Sequence, residues 1–214
     1  MPSKNVKHII TAVILLIVAY NSVYFKNLNE VRASAKDGNF DAAAYAENYW
    51  NAHLKPRLQD AISLKELYPL LRQEKEKTFK KYSHALGIGN IRYFLVRGEG
   101  TISEIKENEV TIAIPAGTGT IQATIATEFI YGNTIRDAIG GLNINDFDNT
   151  MHLNQLSEEI NKKVRGKVIP SFRAQVKKGD HLMFTGAIEL NEKFMNLENV
   201  EIVPIEFNLK NLNP

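Results

Sequence analysis

The sequence predicts an α+β protein in three parts: an N-terminal membrane anchor, a helical segment, and a five-stranded β-barrel with a helical insert. Three patterns support this. An uncharged, mostly aliphatic run occupies residues 9–25, helical periodicity follows over residues 42–82, and period-two alternation recurs after residue 91. The predicted parts are residues 1–25 for the anchor, 26–90 for a stalk and helical segment, and 91–214 for the barrel domain.

The N-terminus has the charge order of an export signal. Lys4 and Lys7 precede the apolar run, and a basic flank before an apolar stretch stays on the cytoplasmic side of a bilayer. The run is shorter than the roughly 20 residues of a comfortable transmembrane helix, so a signal-peptide h-region and a short anchor both fit it. Tyr20 and Asn21 interrupt the cleavage window, which favours an uncleaved anchor over cleavage. A buried helix of a soluble protein is disfavoured because the run is terminal and no polar stripe breaks it. We therefore expect a cell-envelope protein, anchored in the inner membrane and facing the periplasm or exterior.

The composition excludes several classes of site. The 214 residues contain no cysteine, which excludes disulfides, zinc–thiolate sites, cysteine nucleophiles and the acylated cysteine of a bacterial lipoprotein. A formal net charge of +2 argues against a nucleic-acid partner, which needs a basic surface to displace counterions from phosphates. The sequence therefore predicts no cofactor and no nucleic-acid partner.

Helices are predicted before residue 91. Asn39 or Asp41 can cap a first helix that runs to residue 54, and Pro56 bends or ends it. A second helix is predicted over residues 64–82, with leucines on one face and charges of both signs on the other. Three aromatic side chains of the first helix favour a core contact over a sugar-binding platform: Tyr45, Tyr49 and Trp50.

Strands and a helical insert make up the rest of the chain. The predicted strands cover residues 92–106, 110–114, 120–130, 181–190 and 200–207. Gly98 and Gly100 bend the first strand, and Pro204 marks the last as an edge or bulged strand. Three strands, a helix-bearing insert and two strands is the element order of the OB-fold, a five-stranded, partly open barrel.

The predicted insert spans residues 132–170. It contains a short helix around residues 135–139 and a longer helix after Asn154, which would be its cap. Gly166 is predicted to end that longer helix.

The most distinctive polar stretch of the sequence lies in this insert, over residues 133–149. In a functional interpretation, Arg136 binds a carboxylate or phosphate while Asn and Asp side chains bind hydroxyl groups. In a structural interpretation, which the pattern favours, these side chains cap short helices, complete Asx turns and pair with one another. The candidate ligand-binding residues are Asn133, Arg136, Asp137, Asp146 and Asn149.

Neither a metal site nor a catalytic site is predicted. Residues 143–149 offer oxygen ligands for calcium, but they lack the central glycine and closing glutamate of an EF-hand, so Asx capping is favoured. The histidines form no HExxH pair and lie beside no serine elbow. We therefore expect that the protein is not an enzyme.

Several motifs point to a family. They are Phe-Asp-Ala-Ala at residues 40–43, Tyr-Trp at 49–50, Tyr-Phe-Leu-Val-Arg-Gly-Glu-Gly at 93–100, Gly-Asn-Thr-Ile-Arg-Asp-Ala at 132–138, Asn-Asp-Phe-Asp-Asn at 145–149, Lys-Gly-Asp at 178–180 and Gly-Ala at 186–187. Together they resemble a bacterial family of predicted periplasmic lipoproteins of unknown function. The resemblance spans nearly the whole chain after the anchor, and Gly-Asn-x-x-Arg-Asp is its most specific part.

The resemblance implies a role beside carbohydrate uptake, because family members are often annotated near sugar ABC-transporter genes. It implies no catalytic residue. This chain has no cysteine to acylate, so tethering to the membrane would depend on its apolar N-terminal helix.

Two hypotheses about function follow. The first is a non-enzymatic envelope protein that binds a small polar ligand, a sugar or sugar acid, or a transporter component, in connection with carbohydrate ABC transport. The second is a structural or assembly factor whose helical half, residues 41–82, docks a membrane partner. An uncharacterised hydrolase ranks last.

Overall fold

The computed structural model describes residues 40–117, 119–147 and 149–210. The predicted anchor and the predicted stalk up to residue 39 lie outside the described residues. Within the described ranges, no helix combines the length and the apolar character needed to cross a bilayer. The described residues from 41 to 210 form one compact unit, and the helices before residue 91 belong to the same unit as the strands after it.

Five long strands form the sheet. They are β3 (Ile91–Ile105), β4 (Glu109–Ala116), β5 (Gly119–Ala126), β6 (His181–Asn191) and β7 (Val200–Lys210), after two short strands, β1 (Ile62–Ser63) and β2 (Ser83–His84). Backbone pairing joins the long strands in the closed order β3–β4–β5–β7–β6–β3, in which β5 and β7 are parallel and the other pairs antiparallel. We call these five strands the strand ring. The α+β class is confirmed, and the five predicted strands occur in the predicted order.

A helical run opens the compact unit. Helix α1 (Ala42–Tyr49) begins after Asp41, whose carboxylate accepts a hydrogen bond from the backbone N–H of Ala44 at 2.9 Å. Three short turns extend the run: a π-helical turn (Trp50–Leu54), an α-helical turn (Lys55–Arg57) and a 3-10 turn (Leu58–Asp60). The run continues past Pro56 because its missing N–H falls in the first turn of a new α-helical segment, which tolerates proline.

The predicted helix over residues 64–82 is two helices in the structure. They are α2 (Leu64–Gln73) and α3 (Lys75–Tyr82). Glu74 separates them because its φ of −134° and ψ of 51° are not helical. The short strands β1 and β2 flank this helix pair, and both pair with β3.

The insert between β5 and β6 is helical, as predicted, but its helix boundaries differ. It contains α4 (Thr134–Ile139), a 3-10 turn (Ile144–Asp146), α5 (Thr150–Lys163), a π-helical turn (Val164–Val168) and α6 (Ile169–Arg173). Helix α5 begins earlier than predicted because the cap is Asn149, whose side chain accepts a hydrogen bond from the His152 N–H at 3.1 Å. The prediction that Gly166 ends this helix is wrong, since Gly166 lies inside the π-helical turn that leads into α6.

One apolar core extends from the strand ring to the helices. It includes Leu64, Leu67 and Phe79 from α2 and α3, and Phe94, Ile112, Ile125, Leu182 and Ile202 from the strands. The rings of Phe79 and Phe94 meet edge to face, with centroids 5.1 Å apart. Tyr49 and Trp50 are buried, which confirms the core contact predicted for these two aromatic side chains, whereas Tyr45 is 36% exposed.

Strand β3 changes partner near Gly100. Residues 91–101 pair with β6, and residues 101–105 pair with β4. A β carbon on Gly100 would lie 2.9 Å from the backbone carbonyl carbon of Ala113 and closer still to its oxygen. The approach of β3 to β4 at this point therefore requires glycine, as the sequence predicted for the bend.

We expect Gly100→Ala to lower the free energy of unfolding by about 2–3 kcal/mol, because the obstructing atoms are backbone and cannot rotate away. Gly166→Ala is the matched control. It adds the same methyl group where no atom lies within 4 Å, and it should raise stability by about 0.5–1 kcal/mol through helix propensity. Urea denaturation followed by fluorescence of the single tryptophan, Trp50, measures both. Equal stability of Gly100→Ala and the wild type would contradict the close approach.

Candidate functional site

A polar cleft of about 480 Å³ lies in the insert, and we call it the insert cleft. The N-cap and first turn of α4 contribute Asn133, Arg136 and Asp137, and α5 contributes Asn154, Ser157, Glu158 and Asn161. The apolar part of the lining comes from Leu86, Ile144 and Leu153. The volume and the mixture of apolar wall and converging polar groups are typical of small-molecule sites.

A buried ion pair stabilises this cleft. Nε of Arg136 donates to Oδ1 of Asp137 at 2.7 Å, and these residues are only 7% and 2% exposed. The other carboxylate oxygen of Asp137 accepts a hydrogen bond from the Asn133 side-chain amide at 2.5 Å. Nη1 of Arg136 donates to the carbonyl oxygen of Leu153 at 3.0 Å. Since Leu153 belongs to α5, the pair joins the two helices that line the cleft.

Two tyrosine hydroxyl groups connect this polar cluster to the rest of the unit. Tyr93 of β3 donates to Oδ1 of Asn133 at 3.3 Å, and Tyr49 of α1 donates to the carbonyl oxygen of Arg136 at 3.4 Å. Burial raises the pKa of both Tyr49 and Tyr93, so both hydroxyls stay protonated and act as donors at neutral pH. Helix α4 is thus held by the strand ring, by α1 and by α5.

A smaller cleft of about 210 Å³ shares Arg136 and Asp137 with the insert cleft and adds His84 and Arg92. Burial lowers the pKa of the His84 imidazole, and the guanidinium groups of Arg57 and Arg92 lower it further. His84 is therefore neutral at pH 7. Nε of Arg92 donates to Oγ of Ser83 at 2.9 Å, so this arginine is engaged by its neighbours.

Helix α5 presents a polar face to the insert cleft. Asn154, Ser157 and Asn161 recur at spacings of three and four residues, which places them on one side of the helix. Ser157 donates from Oγ to the Leu153 carbonyl oxygen at 3.2 Å, and Asn161 donates from Nδ2 to the Gly132 carbonyl oxygen at 2.8 Å. Asn154 is exposed.

The chain matches the model of the family DUF2291, described as predicted periplasmic lipoproteins, over residues 13–208. This protein belongs to that family. The resemblance seen in the sequence is therefore confirmed, and the family's function is unknown. The family's description supports a cell-envelope location. No curated protein matches the chain.

A solved structure of an OB-fold protein from Thermotoga maritima MSB8 is similar to this DUF2291 protein. The TM-score is 0.70 at 23% sequence identity, with 81% of this chain and 100% of that chain covered. At this level of identity the similarity concerns the fold alone. It supports the OB-type strand arrangement predicted from the order of strands and insert.

The structure brings three of the five predicted site residues of this DUF2291 protein together. Asn133, Arg136 and Asp137 line the insert cleft, whereas Asp146 and Asn149 do not. Asp146 is exposed in the 3-10 turn, and Asn149 caps α5. The structural interpretation is therefore correct on two points: Asn149 caps a helix, and Arg136 pairs with a nearby acid, Asp137.

Sequence reasoning missed the α5 face of the cleft. The sequence predicts a helix that begins after Asn154, with Asn154 as its cap. In the structure the helix begins at Thr150, and Asn154 lines the cleft. A polar stripe at helical spacing was the available signal, but such a stripe is the normal appearance of a solvated helix face.

A larger cleft of about 610 Å³ lies beside the start of α2, against β3, β6 and β7. Its charged groups are at the surface: Lys65 pairs with Glu99 at 2.8 Å, and their side chains are 36% and 48% exposed. Thr185, a buried polar side chain there, already donates to Glu206 at 3.1 Å. The insert cleft is the stronger candidate because four of its polar side chains are buried and hydrogen-bonded: Arg136, Asp137, Ser157 and Asn161.

Among the residues that the structure describes, no group of three or more histidine and acidic side chains is arranged to hold a metal ion. The loop of residues 143–149 instead shows local capping in its described part: the Asn143 side chain accepts a hydrogen bond from the Asn145 N–H at 3.0 Å.

We expect Arg136→Met alone to lower the free energy of unfolding by about 3–5 kcal/mol, because it leaves the Asp137 carboxylate buried without its cation. The double variant Arg136→Met with Asp137→Leu should recover most of that loss, since both charges are then gone. Chemical denaturation of the two single variants and the double variant gives the coupling energy. Costs that simply add in the double variant would contradict a coupled pair.

Proposed function

We propose that this DUF2291 protein is a non-enzymatic binding module of the cell envelope, and that its insert cleft binds a small polar ligand, a sugar or sugar acid, in support of carbohydrate transport. The observation that carries the proposal is a cleft of ligand size in which buried and exposed polar side chains converge from α4 and α5. The buried network around Arg136 supports it further, because a preorganised site pays less conformational entropy on binding.

The polar groups of the cleft suit a ligand rich in hydroxyl groups. Arg136 has five N–H donors, and two of its nitrogens bond to protein atoms among the described residues, which leaves donors for a ligand. The side-chain amides of Asn154 and Asn161 each carry both a donor and an acceptor, and a hydroxyl group needs both.

The proposed location is the inner membrane, with the compact unit outside the cytoplasm. The family's description as periplasmic supports the envelope location. The apolar run at residues 9–25 is proposed as the anchor, because the sequence has no cysteine that could be acylated.

The assembly-factor alternative has less support. It would dock a membrane partner through the helical half, but the apolar positions of α2 are used inside the unit. Leu64, Leu67 and Leu71 are each at most 1% exposed, and Tyr49 and Trp50 of the first helical run are also buried.

Thermal denaturation of the full-length protein with a panel of sugars and sugar acids tests the proposal. A ligand at 100 times its Kd should stabilise the fold by about 2.7 kcal/mol and raise Tm by about 5–10 °C. Asn154→Leu should abolish the shift, because it replaces the amide by apolar methyl groups of similar shape without touching the buried network. The ligand should be recovered unchanged, as expected for a protein without a catalytic role.

Asn51→Leu is the matched control, an exposed helical asparagine outside the cleft, and it should keep the full shift. Arg136→Ala would be a poor test because its effect on folding would obscure binding. The proposal fails if no sugar or sugar acid shifts the wild-type Tm, or if Asn154→Leu responds like the wild type.

A further inference from the structure

An exposed aromatic side chain lies where the chain enters the insert cleft. Tyr131 is 61% exposed, although it precedes two residues, Gly132 and Asn133, that line the cleft. Gly132 has a φ of +75°, a conformation that favours glycine, so the chain turns sharply between the tyrosine and the cleft.

The backbone around Tyr131 is fixed to the helical side of the insert. The carbonyl oxygen of Gly132 accepts from Asn161 of α5 at 2.8 Å, and the carbonyl oxygen of Ile130 accepts from Nη1 of Arg165. The Arg165 guanidinium carbon also lies 4.9 Å from the centroid of the Tyr131 ring, within the range of a cation–π contact. The Tyr131 ring is thus exposed, while hydrogen bonds to Ile130 and Gly132 hold the backbone on either side of it and Arg165 contacts the ring.

The polar face of α5 runs from the cleft towards this ring. Asn154, Ser157 and Asn161 line the cleft, and Arg165 follows Asn161 by one helical turn. Asn161 therefore belongs to both regions: its side chain lines the cleft and bonds to the residue after Tyr131.

The charges around the cleft are already paired. Arg136 is bonded to Asp137 at 2.7 Å, and Arg165 is bonded to Glu158 at 2.6 Å. Both carboxylates line the cleft. An anionic ligand would have to displace a carboxylate from its arginine or lie beside it, and for the buried pair this separation is costly. A neutral ligand needs no such exchange.

From the proposed function, on which this inference rests, we infer that the insert cleft binds a neutral saccharide in preference to a sugar acid or sugar phosphate, and that Tyr131 is the aromatic surface on which the sugar ring stacks. The amide and hydroxyl groups of α5 bind the hydroxyl groups of the sugar, while its less polar C–H face covers the tyrosine ring. Tyr131 thus sets specificity without belonging to the buried network.

Titration calorimetry of the full-length protein tests both parts. The probes are neutral glucose, xylose, ribose and maltose, with glucuronate and glucose phosphate as anionic counterparts. At least one neutral sugar should bind, and more tightly than either anion. Tyr131→Ala should weaken that binding about tenfold, which corresponds to about 1.4 kcal/mol, whereas Tyr131→Trp should retain it because it keeps an aromatic face.

Phe129→Ala is the matched control, since Phe129 is 63% exposed and lies two residues away but, unlike Tyr131, is not adjacent to a residue that lines the cleft. It should bind like the wild type. Unchanged affinity in Tyr131→Ala, or a loss that Tyr131→Trp does not restore, would overturn the stacking role while leaving the proposed function intact. Tighter binding of the anionic sugars would overturn the neutral preference alone. Binding of none of the probes would overturn this inference together with the proposed function.

Discussion

The pairing of strand β3 is the constraint on which the rest of the structure depends. Its 15 residues pair with β1 and β2, the short strands that flank α2 and α3, and with β4 and β6 of the strand ring. Strand β3 can pair first with β6 and then with β4 because Gly100 allows its backbone to approach Ala113. The same strand carries Tyr93, whose hydroxyl group reaches Asn133 at the insert cleft. Closure of the ring and placement of the cleft therefore depend on one strand.

The buried ion pair distinguishes the insert from an ordinary helical connection. Two charges buried together contribute little net stability compared with well-packed apolar side chains. Apolar residues could therefore have joined α4 to α5 equally well. Arg136 and Asp137 instead keep polar atoms at a cavity, where they hold α4 in one orientation. This is the physical reason for proposing a ligand site in the insert when the larger cleft lies elsewhere.

The sequence predicted the strands well because their signal is local. Period-two alternation depends only on which residues face the core, and this is visible in a single strand. The grouping of Asn133, Arg136 and Asp137 was also predictable, since these residues fall within four positions of one another around a short helix. Contacts inside one turn need no knowledge of the fold.

The remaining parts of the site depended on signals that are ambiguous or distant. Asn149 and Asn154 are both good caps, and only the folded chain shows that Asn149 is used. The hydrogen bond from Asn161 to Gly132 joins residues 29 positions apart, so no local pattern could reveal it. The role proposed for Tyr131 rests on the same contact, because Gly132, which accepts this hydrogen bond, follows Tyr131 in the chain. Both predictions failed because the answer depends on the folded chain. In neither case was the chemical character of a residue misinterpreted.

We propose that the insert cleft, and not the larger cleft beside α2, is the ligand site. Backbone amide chemical-shift mapping of the full-length protein with a saturating neutral saccharide tests this most directly. The largest changes should fall at residues 131–133 and along α5, around Asn154 and Asn161. Changes concentrated around Arg97 and Glu206, which line the larger cleft, would contradict it.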